Sequence, residues 1–152
     1  MVKHFHGICL NIFGSGPDEE YYKRRAKHAS LPVKFYGYIP NDTKLVSLLS
    51  RSDIGIATYI PDKENVSYFG DPSKIKAYFS ANLPVITTDV FIFQKEITLH
   101  RAGIIVQYGN KAQLISAIHR ITDTYGEYVQ GVRTLTSKYN YKTYYTSLFT
   151  DV

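Results

Sequence analysis

Five short apolar runs, each followed by a stretch of helical pattern, limit this chain's fold more than any other feature. The runs are HGICLNIF (6–13), VKFYGYI (33–39), DIGIATYI (53–60), PVITT (84–88) and AGIIVQY (102–108). Most of them do not alternate polar with apolar residues. A strand with one wet face alternates, whereas a run that is apolar throughout has both faces covered. Between the runs lie PDEEYYKRRAKHA (17–29), NDTKLVSLLSRS (41–52), a helix pattern over 71–82, a short helix over 90–99 and a helix over roughly 110–124; one or two further helical stretches follow. Strands joined by helix-length crossovers are parallel. The expected class is therefore α/β: a doubly wound, Rossmann-like parallel sheet with helices on both faces.

The turn residues agree with these boundaries. Gly14-Ser15-Gly16-Pro17 leaves the first strand, with Pro17 at or near the first helical turn and Asp18, Glu19 and Glu20 placed to complement the helix dipole. The helix of 71–82 has to stop before Pro84, and Asn82 is the non-glycine residue best suited to a left-handed C-terminal position. The segment 61–70 is the longest irregular one. It follows a strand's carboxyl end, where open α/β sheets bind ligands.

At 152 residues and 17.4 kDa, one domain with a sizeable core is the default, since such chains bury roughly two thirds of the surface they expose when unfolded. No apolar run approaches the ~20 residues of a membrane span. MVKHFHGICLNIFG reads as a core strand running into a glycine turn, not as a secretory signal. Cys9 has no partner for a disulfide and is expected to be a small buried side chain in a reducing compartment, which points to the cytosol. The net charge of +5 and the 14 Tyr and 8 Phe admit phosphorylated small molecules, nucleic acid or an anionic membrane face as partners, without choosing among them.

Several motifs could carry chemistry. Gly14-Ser15-Gly16 lacks the third glycine of a dinucleotide fingerprint, because Glu19 stands there; a ligand-approaching turn and a plain strand-to-helix turn both remain open. His4, His6 and Cys9 lie close in sequence, but no carboxylate converges on them, and a solvated strand end is the simpler reading. His28, His100 and His119 stand alone, and no nucleophile–base set can be assigned from spacing. KYNYKTYY (138–145) interleaves bases and aromatics as a single-strand nucleic-acid platform does, yet Tyr141, Tyr144, Tyr145 and Phe149 also recur at helical intervals, which favours a docked amphipathic helix over about 139–149. The sharpest signal is Asp71-Pro72-Ser73-Lys74. Asp71 suits an N-cap and Pro72 the first helical position, but Lys74 adds a cation to the positive end of the helix dipole. A capped helix with a solvated lysine is one reading. The other is a site where free N–H groups and Lys74 hold a diphosphate beside the long loop.

IFGSGPDEEYYKRRA, VKFYGYIP, LLSRSDIGIATY, GDPSKIKAYFSANLPVITT and AGIIVQYGNKAQLISAI occur in an order and spacing that resemble the C-terminal, nucleotide-sugar-binding domain of GT-B fold glycosyltransferases, especially the large group 1 family. The likeness covers residues 6 to about 122. It implies a donor site at the carboxyl edge of the sheet, with the diphosphate on the helix starting near Ser73. The base would lie near Phe35 to Ile39, configuration would be retained, and no metal would be needed. By this resemblance Asp71 and Lys74 are the candidate catalytic residues, and Gly14, Ser15, Gly16, Tyr36, Gly37, Tyr38, Ile39, Gly70, Pro72 and Ser73 the candidate donor-binding ones. The nucleotide-sugar is the substrate, and no cofactor is implied.

The sequence departs from many relatives in two ways. Two glutamates common among them, one contacting the sugar and one the ribose, fall at Phe69 and Ala77; the sequence resembles instead a subgroup with an Asp-Pro-x-Lys turn, and Asp71 stands in for the sugar-contacting acid. A complete enzyme also has an N-terminal acceptor-binding domain, and its C-terminal domain opens with a further strand and helix. Residues 1–152 are thus expected to be a single donor-binding domain excised from a two-domain enzyme. It is expected to be cytoplasmic or peripheral to the inner membrane face, with nucleic acid disfavoured as a partner. The alternatives are a non-catalytic nucleotide or sugar-phosphate module of the same fold, and a basic protein binding nucleic acid or an anionic membrane face.

Overall fold

The structure, a computed structural model, describes residues 7–30, 32–62, 64, 73–90 and 93–138. Strands and helices alternate in the expected order: β1 (Leu10–Ile12), α1 (Glu19–His28), β2 (Val33–Phe35), α2 (Asp42–Leu49), β3 (Gly55–Ala57), α3 (Ser73–Ser80), β4 (Val85–Thr88), α4 (Gln94–Leu99), β5 (Gly103–Val106), α5 (Lys111–Asp123) and α6 (Tyr125–Lys138). Every strand pair is parallel: β1 with β2 in one sheet, and β3-β4-β5 in another. The chain is Rossmann-like α/β, as its apolar runs require. The paired segments are shorter than those runs at one or both ends, because residues beyond the reach of a neighbouring strand leave the ladder; those past the carboxyl ends of the strands join the loops of the carboxyl edge. The expected terminal helix with Tyr141, Tyr144, Tyr145 and Phe149 lies outside the described residues.

Two compact units divide the chain, residues 1–48 and 49–152. In the first, none of the described residues is fully buried, as expected of a segment too small to enclose a core. The reading of Cys9 as a buried side chain is therefore corrected: its thiol is exposed, one residue ahead of the paired stretch of a sheet with little covering it. Lys23 bridges Glu19 and Glu20 at 2.9 and 2.8 Å, and its hydrogen bond holds the Glu20 carboxyl below the usual range. Pro17 sits in the turn before Asp18, the N-cap of α1, rather than inside the helix.

The second unit holds the core. β4 lies between β3 and β5, and all four of its residues are buried. Side chains alternate across a sheet, so Val85 and Thr87 face one side, Ile86 and Thr88 the other. Val85 packs into a cluster with Ile75 and Phe79 of α3, Ile97 of α4, and Val132 and Leu135 of α6. Ile86 lies outside that cluster, and α5, which buries Ala117, Ile118 and Ile121, packs on β4 and β5. Fully burying each Ile or Leu contributes on the order of 1.5 to 3 kcal/mol.

Helix α3 ends as its sequence predicts. Asn82 has φ 58°, Leu83 N–H donates to Tyr78 C=O at 2.9 Å, and Asn82 N–H donates to Phe79 C=O at 2.9 Å, the paired bonds of a Schellman motif. The same device closes α4 with an arginine in the left-handed position: Arg101 has φ 52°, Ala102 N–H donates to Ile97 C=O and Arg101 N–H to Thr98 C=O. Helix α5 opens on Asn110, whose side chain accepts from Gln113 N–H at 3.0 Å. No described helix is long and apolar enough to cross a membrane.

Candidate functional site

In the larger unit the carboxyl ends of β3 and β4 meet the first turn of α3. β3 runs out into Tyr59, and β4 ends on Thr87 and Thr88, hydroxyls in an otherwise apolar run. Thr87 Oγ1 donates to Ala57 C=O at 2.7 Å. Thr88 Oγ1 accepts from Tyr59 N–H and donates to Tyr59 C=O, both at 2.8 Å, and so clasps the backbone just past β3. Both threonines are buried, and each hydroxyl is satisfied, which a buried polar group requires.

Ser73 and Lys74 open α3 and are exposed. The Lys74 ammonium lies 5.8 Å from the centroid of the Tyr59 ring, within cation–π range. Tyr78, one turn further along α3, spreads its ring over Gly55, where a Cβ would come within 2.5 Å of it, and its hydroxyl donates to Ile56 C=O at 3.2 Å. Burial pushes the phenols of Tyr59 and Tyr78 above their ordinary range, and the Tyr59 phenol adds to the shift at Tyr78. The edge thus presents a helix N-terminus with an accessible cation, backed by neutral aromatic side chains. Gly70, Asp71 and Pro72 lie outside the described residues.

In the smaller unit the loops after β1 and β2 run side by side. Gly14 N–H donates to Gly37 C=O at 2.8 Å, and Tyr36 N–H to Ile12 C=O at 2.9 Å. Gly14 and Gly37 have φ 115° and 67°, and a Cβ on either would meet no atom within 4 Å, so backbone conformation and not crowding calls for glycine there. Phe13 and Tyr36 stack at 4.5 Å. Ser15, Gly16, Tyr36 and Tyr38 are exposed and Ile39 is half-buried, so this edge offers free backbone and aromatic surface.

The structure therefore gathers Gly14, Ser15 and Gly16 beside Tyr36, Gly37, Tyr38 and Ile39 in one unit, and Ser73 beside Lys74 in the other. Sequence reasoning missed Tyr59, Thr87 and Thr88. The hydroxyl pair closing PVITT was the available signal for the threonines; nothing local marked Tyr59. Among the described residues no three His, Cys, Asp or Glu side chains gather as a metal site.

No curated protein sequence matches this chain significantly. Among solved structures, it is similar to that of WaaG, described as a glycosyltransferase involved in lipopolysaccharide biosynthesis, with a TM-score of 0.61 and 16% sequence identity. That likeness covers 84% of this chain and 32% of WaaG, so the chain spans about a third of the length of the structure it matches. At this identity the likeness establishes the fold, the Rossmann-like architecture of GT-B enzymes. The sequence itself matches the family described as Glycosyl transferases group 1 over residues 2–124, and with four fifths of its length inside that match the chain belongs to the group 1 glycosyltransferase family.

Proposed function

We propose that this chain is the donor-binding domain of a retaining glycosyltransferase, which transfers a sugar from a nucleotide-sugar to an acceptor bound on a separate N-terminal domain. One observation carries the reading: an exposed lysine in the first turn of α3, at the carboxyl edge of a parallel sheet, where the helix dipole disfavours a cation unless an anion accompanies it. Family membership supports the transferase chemistry.

In this reading the donor's diphosphate rests on the free N–H groups of the first turn of α3, with Ser73, Gly70 and Pro72 around it. As the bond from the anomeric carbon to the diphosphate oxygen breaks, negative charge grows on the leaving group. Lys74 and the fixed N–H dipoles stabilise it without reorganising. Asp71 contacts the sugar. Within the smaller unit, Gly14, Ser15 and Gly16 and the segment Tyr36, Gly37, Tyr38 and Ile39 are the candidate nucleoside contacts. Lys74 meets the charge, so the chemistry requires neither metal nor cofactor. The isolated chain binds donor but transfers nothing without the acceptor domain. The protein works in the cytoplasm, at most peripherally on the inner membrane face.

The experiment titrates UDP-, GDP- and ADP-sugars, and the matching diphosphates, into the protein while following amide shifts. Lys74→Ala should weaken nucleoside diphosphate binding by about 1.5 to 3 kcal/mol, the range for a hydrogen bond to a charged group, and barely alter folding. Equal affinities of wild type and variant for a diphosphate that binds would refute the placement of the phosphate. Binding of none of the panel would refute the donor reading.

A further inference from the structure

We propose that Tyr59 is a positioning residue for Lys74: its ring holds the ammonium at the mouth of α3, aimed at the diphosphate. The inference rests on the reading that Lys74 meets the donor's phosphates, and it adds a residue that does not itself touch the donor.

A lysine in the first turn of a helix is repelled by the dipole, and its flexible four-carbon stem lets the ammonium swing into solvent. Binding an anion would then have to order that side chain first. The Tyr59 ring, 5.8 Å from Lys74 Nζ, supplies a local attraction that opposes the repulsion and limits the swing. A ring can do this only if it is fixed. Tyr59 is fixed at its backbone by the buried Thr88 hydroxyl, which engages both its N–H and its C=O, and at its side chain by packing against the hydrophobic core together with Tyr78. Tyr78 is anchored in turn by its hydroxyl on Ile56 C=O. The platform extends from β4 through β3 to the first turn of α3. Its working part is the face of the ring, so a phenylalanine serves as well as the tyrosine.

The test uses the full chain with labelled lysine side chains and the variants Tyr59→Phe, Tyr59→Leu and Lys74→Ala. The Lys74 ε-methylene protons should resonate upfield of those of the other lysines in wild type and in Tyr59→Phe, and lose that shift in Tyr59→Leu. With UDP, GDP and ADP each as probe, Tyr59→Leu should weaken binding roughly two- to five-fold, the range of an exposed cation–π contact, and Tyr59→Phe should leave it unchanged. In the Lys74→Ala background Tyr59→Leu should have no further effect, which separates positioning of the lysine from general loosening of the core. Absence of the upfield shift in wild type overturns the proposal. So does an equal loss from Tyr59→Leu with and without Lys74. If Tyr59→Leu does not fold, the wild-type and Tyr59→Phe shifts decide. If Lys74→Ala leaves affinity unchanged, the placement of the phosphate at Lys74 fails, while the shift still decides whether Tyr59 holds Lys74.

Discussion

Gly131→Ala on α6 sets a general rule of helices against one contact in this fold. In an exposed helix interior, replacing glycine by alanine gains about 1 kcal/mol, because alanine loses less backbone entropy on folding. Gly131 is buried where α6 crosses the C-terminal end of α4. A Cβ there would run into the His100 carbonyl oxygen and come within 2.5 Å of the Arg101 carbonyl oxygen and 2.7 Å of its carbon. All three are backbone atoms in the tight turn that closes α4, with Arg101 already in the left-handed region, so no flexible side chain can yield. Overpacking of this kind costs typically about 1 to 3 kcal/mol, and the upper half applies when backbone must move. Net of the propensity gain, Gly131→Ala should destabilise by about 1 to 2 kcal/mol. Separating α4 from α6 would also strain the Arg101–Glu127 ion pair and the Arg101 contact with the Tyr128 ring. Gly126→Ala is the control: it lies in the same helix, exposed, with nothing within 4 Å of its Cβ, and should be neutral or stabilising by up to ~1 kcal/mol. Urea unfolding of both variants and wild type, compared at equal slope, reads the two signs. A Gly131→Ala midpoint at or above wild type would refute the packing argument.

Three further outcomes follow from the same geometry. Burial raises the Tyr78 phenol above its ordinary value of 10.0, so the folded state keeps a proton that the unfolded chain loses first; this stability is intact below about pH 10 and falls as pH rises beyond it. Tyr78→Phe should flatten that alkaline loss in urea midpoints measured from about pH 8 to 11, at a cost of up to ~1 kcal/mol at neutral pH for the hydrogen bond to Ile56. At Asn82, with φ 58°, Asn82→Ala should cost about 1 kcal/mol and Asn82→Gly should not destabilise, as thermal melts would show; equal loss in both would place the cost elsewhere than in the left-handed backbone. Ile75→Ala should cost about 2 to 5 kcal/mol, because Ile75 is fully buried in the cluster joining α3 to β4 and α6; a loss under ~1 kcal/mol in urea unfolding would contradict that burial.

What the sequence determined by itself was local. Apolar runs without alternation, helical spacing between them, and glycine, proline and asparagine at the breaks are each read within a few residues, because they reflect backbone preferences and the need to cover both faces of a strand. From them follow the order of strands and helices, the parallel α/β class, the left-handed turn at Asn82, and Ser73 and Lys74 together at the start of α3. The tertiary structure decided whatever depends on partners distant in sequence. Arg101 adopts the left-handed turn with no glycine or asparagine to announce it, because the end of α4 is held against α6. Gly131 is required by carbonyls contributed from another helix, and Cys9 stays exposed because its unit is too small to cover it. The same division runs through the candidate site. Lys74 stood out because it opposes its own helix dipole, a local conflict. Thr88 and Tyr59, which come from the ends of two different strands, meet each other, and the Tyr59 ring meets Lys74, only once β3, β4 and α3 are packed. No periodicity encodes such a meeting, because it depends on strand pairing and on which helix comes to lie over which strand end.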